Sequence, residues 1–89
     1  MNKNEEDFLK EHFKAGEYYN LSMLINKEQL DSFTQILQSF NLTLAIIPLN
    51  EKNGYQSINI FVKIKDMDIF SKNMMDYFKL DVSNKVKKH

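Results

Sequence analysis

Between Leu42 and Lys65 the chain carries two apolar segments joined through Asn53-Gly54, and this pair of segments limits the fold more than any other feature. Asn and Gly adopt positive φ more readily than other residues, and a two-residue type I′ hairpin turn requires positive φ at both central positions. Before the turn, Leu42-Thr-Leu-Ala-Ile-Ile-Pro-Leu49 is apolar and rich in β-branched residues. After it, Ile58, Ile60, Val62 and Ile64 alternate with Ser57, Asn59, Phe61 and Lys63. A period of two marks a strand with one buried face. A β-hairpin is therefore expected. Pro48 has no N–H to give to a ladder, so the strand that carries it belongs at a sheet edge.

The flanking segments read as helices and one further strand. Asn4 can cap a short helix, with Glu5, Glu6 and Asp7 in its first turn, where the helix dipole favours negative charge. Phe8, Leu9, His12 and Phe13 give this helix an apolar stripe, and Gly16 is placed to follow its end. Tyr18 to Ile25 reads as a strand, with Tyr19, Leu21, Met23 and Ile25 on one face and Tyr18, Asn20, Ser22 and Leu24 on the other. Asn26 caps a second helix, whose apolar face is Leu30, Phe33, Ile36, Leu37 and Phe40, and Asn41 can close it in the left-handed conformation. Asp66 or Asp68 caps a third helix with Phe70, Met74, Tyr77 and Phe78 as its buried stripe. Leu80 to Val86 alternates weakly, which leaves a last strand open, and Lys85 to His89 is expected to fray.

This order gives an α+β fold of the ferredoxin-like, split βαββα(β) kind, preceded by a short N-terminal helix. The sheet is expected to be antiparallel, with Ile58–Ile64 central and the second and third helices on one face. The 89 residues make a single domain: an N-terminal helix over 1–16, a βαββα core over 18–80 and a tail over 81–89. A chain of this length buries only about two-thirds of the surface it would expose unfolded, so its core is small.

Composition removes several chemistries. There is no cysteine, and the histidines are His12 and His89, so neither a thiolate metal site nor a disulfide is available. Asp66 and Asp68 lack the further acids and the glycine of a calcium loop. Gly16 and Gly54 stand apart, so no glycine-rich phosphate loop exists. His12 has no Ser or Cys partner nearby in sequence. The expectation is a protein that is not an enzyme, with no cofactor and no metal. All twelve basic residues are lysine, and they balance twelve acids. Without arginine the chain lacks the planar fork that holds phosphate, carboxylate or guanine in two-point contacts. No signal peptide is visible and no apolar run is long enough to cross a bilayer, so a cytoplasmic protein with no membrane contact is expected.

What remains is the sheet face turned away from the second and third helices. It combines Tyr18, Asn20, Ser22, Leu24, Thr43, Ala45, Ile47, Leu49, Asn59, Phe61 and Lys63. Such a face is too apolar to lie open in water and too polar for an ordinary core. Either the N-terminal helix folds back and covers it with Phe8 and Phe13, or it forms an interface, such as that of a homodimer. Tyr18, Leu24, Ile47, Leu49, Tyr55, Phe61 and Lys63 are the candidate partner-binding residues. Tyrosine in particular joins a rigid apolar body to a polar tip. The function expected is that of a small protein-interaction module, a regulator or inhibitor of the sort found among phage and plasmid accessory proteins, bound to a protein partner or to itself.

Gly54-Tyr-Gln-Ser-Ile-Asn-Ile-Phe-Val-Lys-Ile64 resembles the third strand of an RNA-recognition motif, with Phe61-Val62 in the matching place. The resemblance covers that one strand. It implies a module for single-stranded nucleic acid, with Phe61 and Tyr18 as stacking residues. The family's Lys/Arg-Gly-aromatic opening is absent here, and zero net charge without arginine argues against nucleic acid as the partner.

Overall fold

The computed structural model describes residues 3–82 and 86–88. In chain order the elements are α1 (Lys3–His12), β1 (Tyr18–Asn26), α2 (Leu30–Gln38), β2 (Leu44–Lys52), β3 (Tyr55–Lys63), α3 (Met67–Phe78) and β4 (Val86–Lys88). Short 3-10 turns, Lys27–Gln29 and Ile64–Asp66, lead into α2 and α3. The fold is α+β. Its strands lie in the order β2-β3-β1-β4, and every neighbouring pair is antiparallel.

The hairpin turn forms where the sequence places it. Asn53 and Gly54 have φ of +55° and +81°, the sign a type I′ turn demands at both positions. A Cβ added at Gly54 would meet nothing within 4 Å. Gly54→Ala is therefore expected to cost only the backbone strain of that φ, about 1 kcal/mol. In a domain of this size that lowers the melting temperature by about 4–8 °C. An unchanged melting curve would mean that the turn does not need its positive φ.

β2 is an edge strand, as Pro48 requires. Its pairing with β3 slips between Pro48, opposite Ile58, and Glu51, opposite Gln56. Leu49 and Asn50 thus share the place opposite Ser57, a β-bulge. Gln56 lies buried on the core side at this point, and its Nε2 donates to the carbonyls of Asn50 and Ser57 at 3.2 and 3.0 Å. The amide is satisfied where the bulge leaves a carbonyl free of the ladder.

The core occupies one side of the sheet. Leu21 of β1 and Ile58, Ile60 and Val62 of β3 are fully buried against Phe33 and Leu37 of α2 and Phe70 and Met74 of α3. Leu42, Leu44 and Ile46 pack on this cluster from the β2 side. Asn41, at φ +58°, follows α2, and Lys79, at φ +56°, closes α3.

Several expectations are corrected. β2 begins at Leu44 and runs to Lys52, beyond the stretch from Leu42 to Leu49, because the strand continues through the bulge to the turn. Asn4 lies inside α1. Gly16 does not end the helix but serves a separate turn, with φ +85° and a Glu17 N–H bond to the Lys14 carbonyl of 3.0 Å; positive φ belongs at the third residue of such a turn. Asp66 stands before α3 without a side-chain capping bond, because the 3-10 turn carries the backbone continuously into the helix. Tyr77 is exposed, and its ring rests on Phe40 at 5.5 Å. The tail does not simply fray. Val82 is fully buried in the core, and Val86–Lys88 pairs with β1, Val86 opposite Leu21 and Lys88 opposite Tyr19. Residues 83–85 and His89 lie outside the described residues.

Candidate interaction surface

The second side of the sheet carries the side chains that alternate away from the core. The register arranges them in rows. Ala45 stands opposite Phe61, which stands opposite Asn20; Ile47 opposite Asn59, opposite Ser22; Leu24 opposite Ser57; and Lys52 opposite Tyr55. Lys63 stands opposite Tyr18 at the end of β1.

α1 covers one half of this side. Phe13, just past the helix end, is 7% exposed and lies edge-on to both Tyr18 and Phe61, with ring centroids 5.8 Å away in each case. Tyr18 and Phe61 stack on each other at 5.1 Å. Phe8 extends the group, 6.0 Å from Phe13 and 4.6 Å from His12. Ala45 is buried in the covered half. Burying one phenylalanine contributes about 1.5–3 kcal/mol, so Phe13 is the principal anchor. Asn20 lies in the row of Phe61, and its Oδ1 is closed off from solvent with no hydrogen-bond partner among the described residues.

The other half is open. Leu24 is 68% exposed, Leu49 50% and Tyr55 47%, one from each of three adjacent strands. Ile47 is half-buried between the two halves. A hydrogen bond of 2.7 Å from Ser22 Oγ to Asn59 Oδ1 crosses the middle of the face and marks the border. Beyond Tyr55, the exposed ion pair of Lys27 Nζ with Glu51 Oε1, at 2.9 Å, links the 3-10 turn before α2 to the end of β2. Such an exposed pair contributes little to stability.

The structure thus divides the seven candidate residues. Leu24, Leu49 and Tyr55 lie together on the open half, with Ile47 at its border. Tyr18 and Phe61 are packed in the aromatic group beneath α1, and Lys63 is half-buried opposite Tyr18. Phe61 is therefore not a free contact residue. A charge placed there would sit against Phe13 and Tyr18 and would disturb the seating of α1. The Ser22–Asn59 pair was not foreseen. Alternation puts both on this face, but their meeting depends on the register between β1 and β3, which no local signal supplies.

Among the described residues no group of three or more His, Asp or Glu could hold a metal ion, and no helix is long and apolar enough to cross a membrane. Set against known proteins, the chain matches no family model, no curated protein and no solved structure.

Proposed function

We propose that the chain is a small protein-interaction module, a regulator or inhibitor rather than an enzyme, which binds a protein partner or a second copy of itself through the open half of the outer sheet face. The observation that supports this reading is the exposure of Leu24, Leu49 and Tyr55 around Ser57, one from each of three adjacent strands at the same end of the outer face. Scattered apolar residues on a surface are ordinary, whereas a contiguous patch marks a contact. The strand order β2-β3-β1-β4 and the helices between β1 and β2 and between β3 and β4 support reading the fold as ferredoxin-like.

Strand addition at the β2 edge is a weaker route, because Pro48 and the bulge after it interrupt the row of backbone groups that a partner strand would use. Nucleic acid is disfavoured by the position of Phe13, whose ring lies against the two aromatic residues that would stack on bases.

Leu24→Asp combined with Leu49→Asp tests the proposal. Both side chains are exposed, so the circular dichroism and melting curve should stay close to the parent's. Capture of a protein from a lysate of the source cells, or self-association followed by light scattering, should fall at least about tenfold, equivalent to ~1.4 kcal/mol. Undiminished binding would place the contact elsewhere. Recovery of RNA or single-stranded DNA with a steep salt dependence would favour the nucleic-acid reading.

A further inference from the structure

We propose that Asn53 is a self-modifying site: the backbone nitrogen of Gly54 displaces its side-chain amide, and the folded hairpin sets the rate by holding that nitrogen out of reach. Of the asparagines in the chain only Asn53 precedes a glycine. Every other is followed by a residue whose side chain crowds the attacking nitrogen. In the step, Gly54 N bonds to Asn53 Cγ, the N–H proton passes to hydroxide, and Nδ2 takes up a proton and leaves as ammonia. Water then opens the ring imide at either carbonyl. One opening gives aspartate. The other gives isoaspartate, whose main chain runs through the side-chain carbon and gains a methylene. The net change is amide and water to acid and ammonia, with nothing oxidised or reduced.

Asn53 and Gly54 are both exposed, with open space where a Gly54 Cβ would stand, so water and hydroxide reach the pair freely. The obstacle is the backbone. Attack needs the Gly54 nitrogen eclipsed with Asn53 Cβ about the Cα–C bond. A type I′ turn holds ψ of its first central residue near roughly +30°, which turns the next nitrogen away from the side chain. The positive φ of both residues fixes that turn, and the pairing of Lys52 with Tyr55 closes it. From outside the hairpin, the Lys27 N–H donates to the Gly54 carbonyl at 2.9 Å. Ring closure therefore waits for the tip to open. The tip lies outside the core cluster, so this opening is local and leaves the core folded. The two products then diverge. Asp-Gly is itself a type I′ pair, so the aspartate product closes the turn again. The isoaspartate product carries an extra main-chain carbon into a loop whose length sets the register. The Lys52–Tyr55 pairing and the Lys27 bond to Gly54 cannot then both be regained.

The test incubates the chain at mildly alkaline pH, folded in buffer and unfolded in guanidinium chloride, and follows it by peptide mapping with mass spectrometry. In the unfolded chain the amide-to-acid mass increase should appear first at Asn53. In the folded chain it should appear at the same residue at least about tenfold more slowly, since only the open tip reacts. Equal rates at Asn53 in the two states, or other asparagines reacting at its pace in the unfolded chain, would overturn the proposal. Lys27→Pro removes the N–H that holds Gly54 yet suits the start of the 3-10 turn, because Asn26 before it is already extended, at φ −61° and ψ 128°. Lys27→Ala keeps that N–H, and both variants lose the ion pair with Glu51. The folded-state rate in Lys27→Pro should exceed that in Lys27→Ala by about threefold or more, the worth of one hydrogen bond, while the unfolded-state rates agree. Equal folded-state rates would overturn the hold on Gly54. Asn53→Asp reproduces the aspartate product and should melt as the parent does. The isoaspartate chain, separated after unfolded incubation and refolded, should melt lower, and coincident melting would overturn the divergence of the products.

Discussion

Replacing Ile60 or Phe70 with alanine is expected to remove a large share of the folding stability, about 2–5 kcal/mol in each case. Ile60 is fully buried in β3, which pairs with β1 on one side and β2 on the other, so its side chain meets the core at its centre. Phe70 is fully buried in α3 and lies edge-on to Phe40, with centroids 6.3 Å apart. Removing such side chains costs about 2–5 kcal/mol, the transfer free energy plus the cavity left behind. At ~0.05–0.15 kcal/mol per residue, a domain of this length has roughly 4–13 kcal/mol to lose. Urea titration followed by circular dichroism measures the loss. Phe33→Ala provides a graded comparison, because Phe33 is buried nearer the margin, tilted on the half-buried Phe78 at 4.8 Å. If Ile60→Ala and Phe70→Ala melted like the parent, the assignment of the core side would be wrong.

Val82→Asp is expected to destabilise nearly as much. Val82 is fully buried with Leu21 and Phe70 in the core cluster. A carboxylate there would be desolvated without a partner, a change that costs about 3–5 kcal/mol. A freely fraying tail would tolerate the same substitution within about 0.5 kcal/mol. Thermal melting therefore decides between a tail that completes the fold and one that hangs from it.

The sequence showed most clearly the features with local causes. The hairpin could be read because Asn53-Gly54 prescribes the turn and strict alternation prescribes the faces of β3. The interiors of α2 and α3 could be read from Phe33, Leu37, Phe70 and Met74, which recur at helical spacing. What stayed hidden depends on partners distant along the chain. Val82 has only the weak alternation of Leu80 to Val86 to announce its burial, and β4 exists because β1 offers it an edge. Tyr77 sits at a position compatible with the buried stripe, yet α3 presents it to solvent over Phe40, and only the packed helices decide that. The outer face was visible as a set of residues. Its division into covered and open halves was not, because that depends on where the loop from His12 to Tyr18 lets α1 come down. Phe8 and Phe13 were recognisable as a possible cover, but which strand residues they would meet was fixed by register.

The place of β1 within the sheet has a consequence for how the chain is made. Tyr18 lies opposite Lys63 and Tyr19 opposite Lys88, so the strand synthesised first is paired with the two synthesised last. On the ribosome, α2 and then the β2–β3 hairpin can take shape as they emerge, since their contacts are close in sequence. β1 has to wait, and contacts between residues so far apart along the chain close slowly. Through that interval Leu21, Met23 and Ile25, which end up in or against the core, have no sheet partner to cover them. The nascent chain is then at its most exposed to misassociation and to chaperones that hold extended apolar segments.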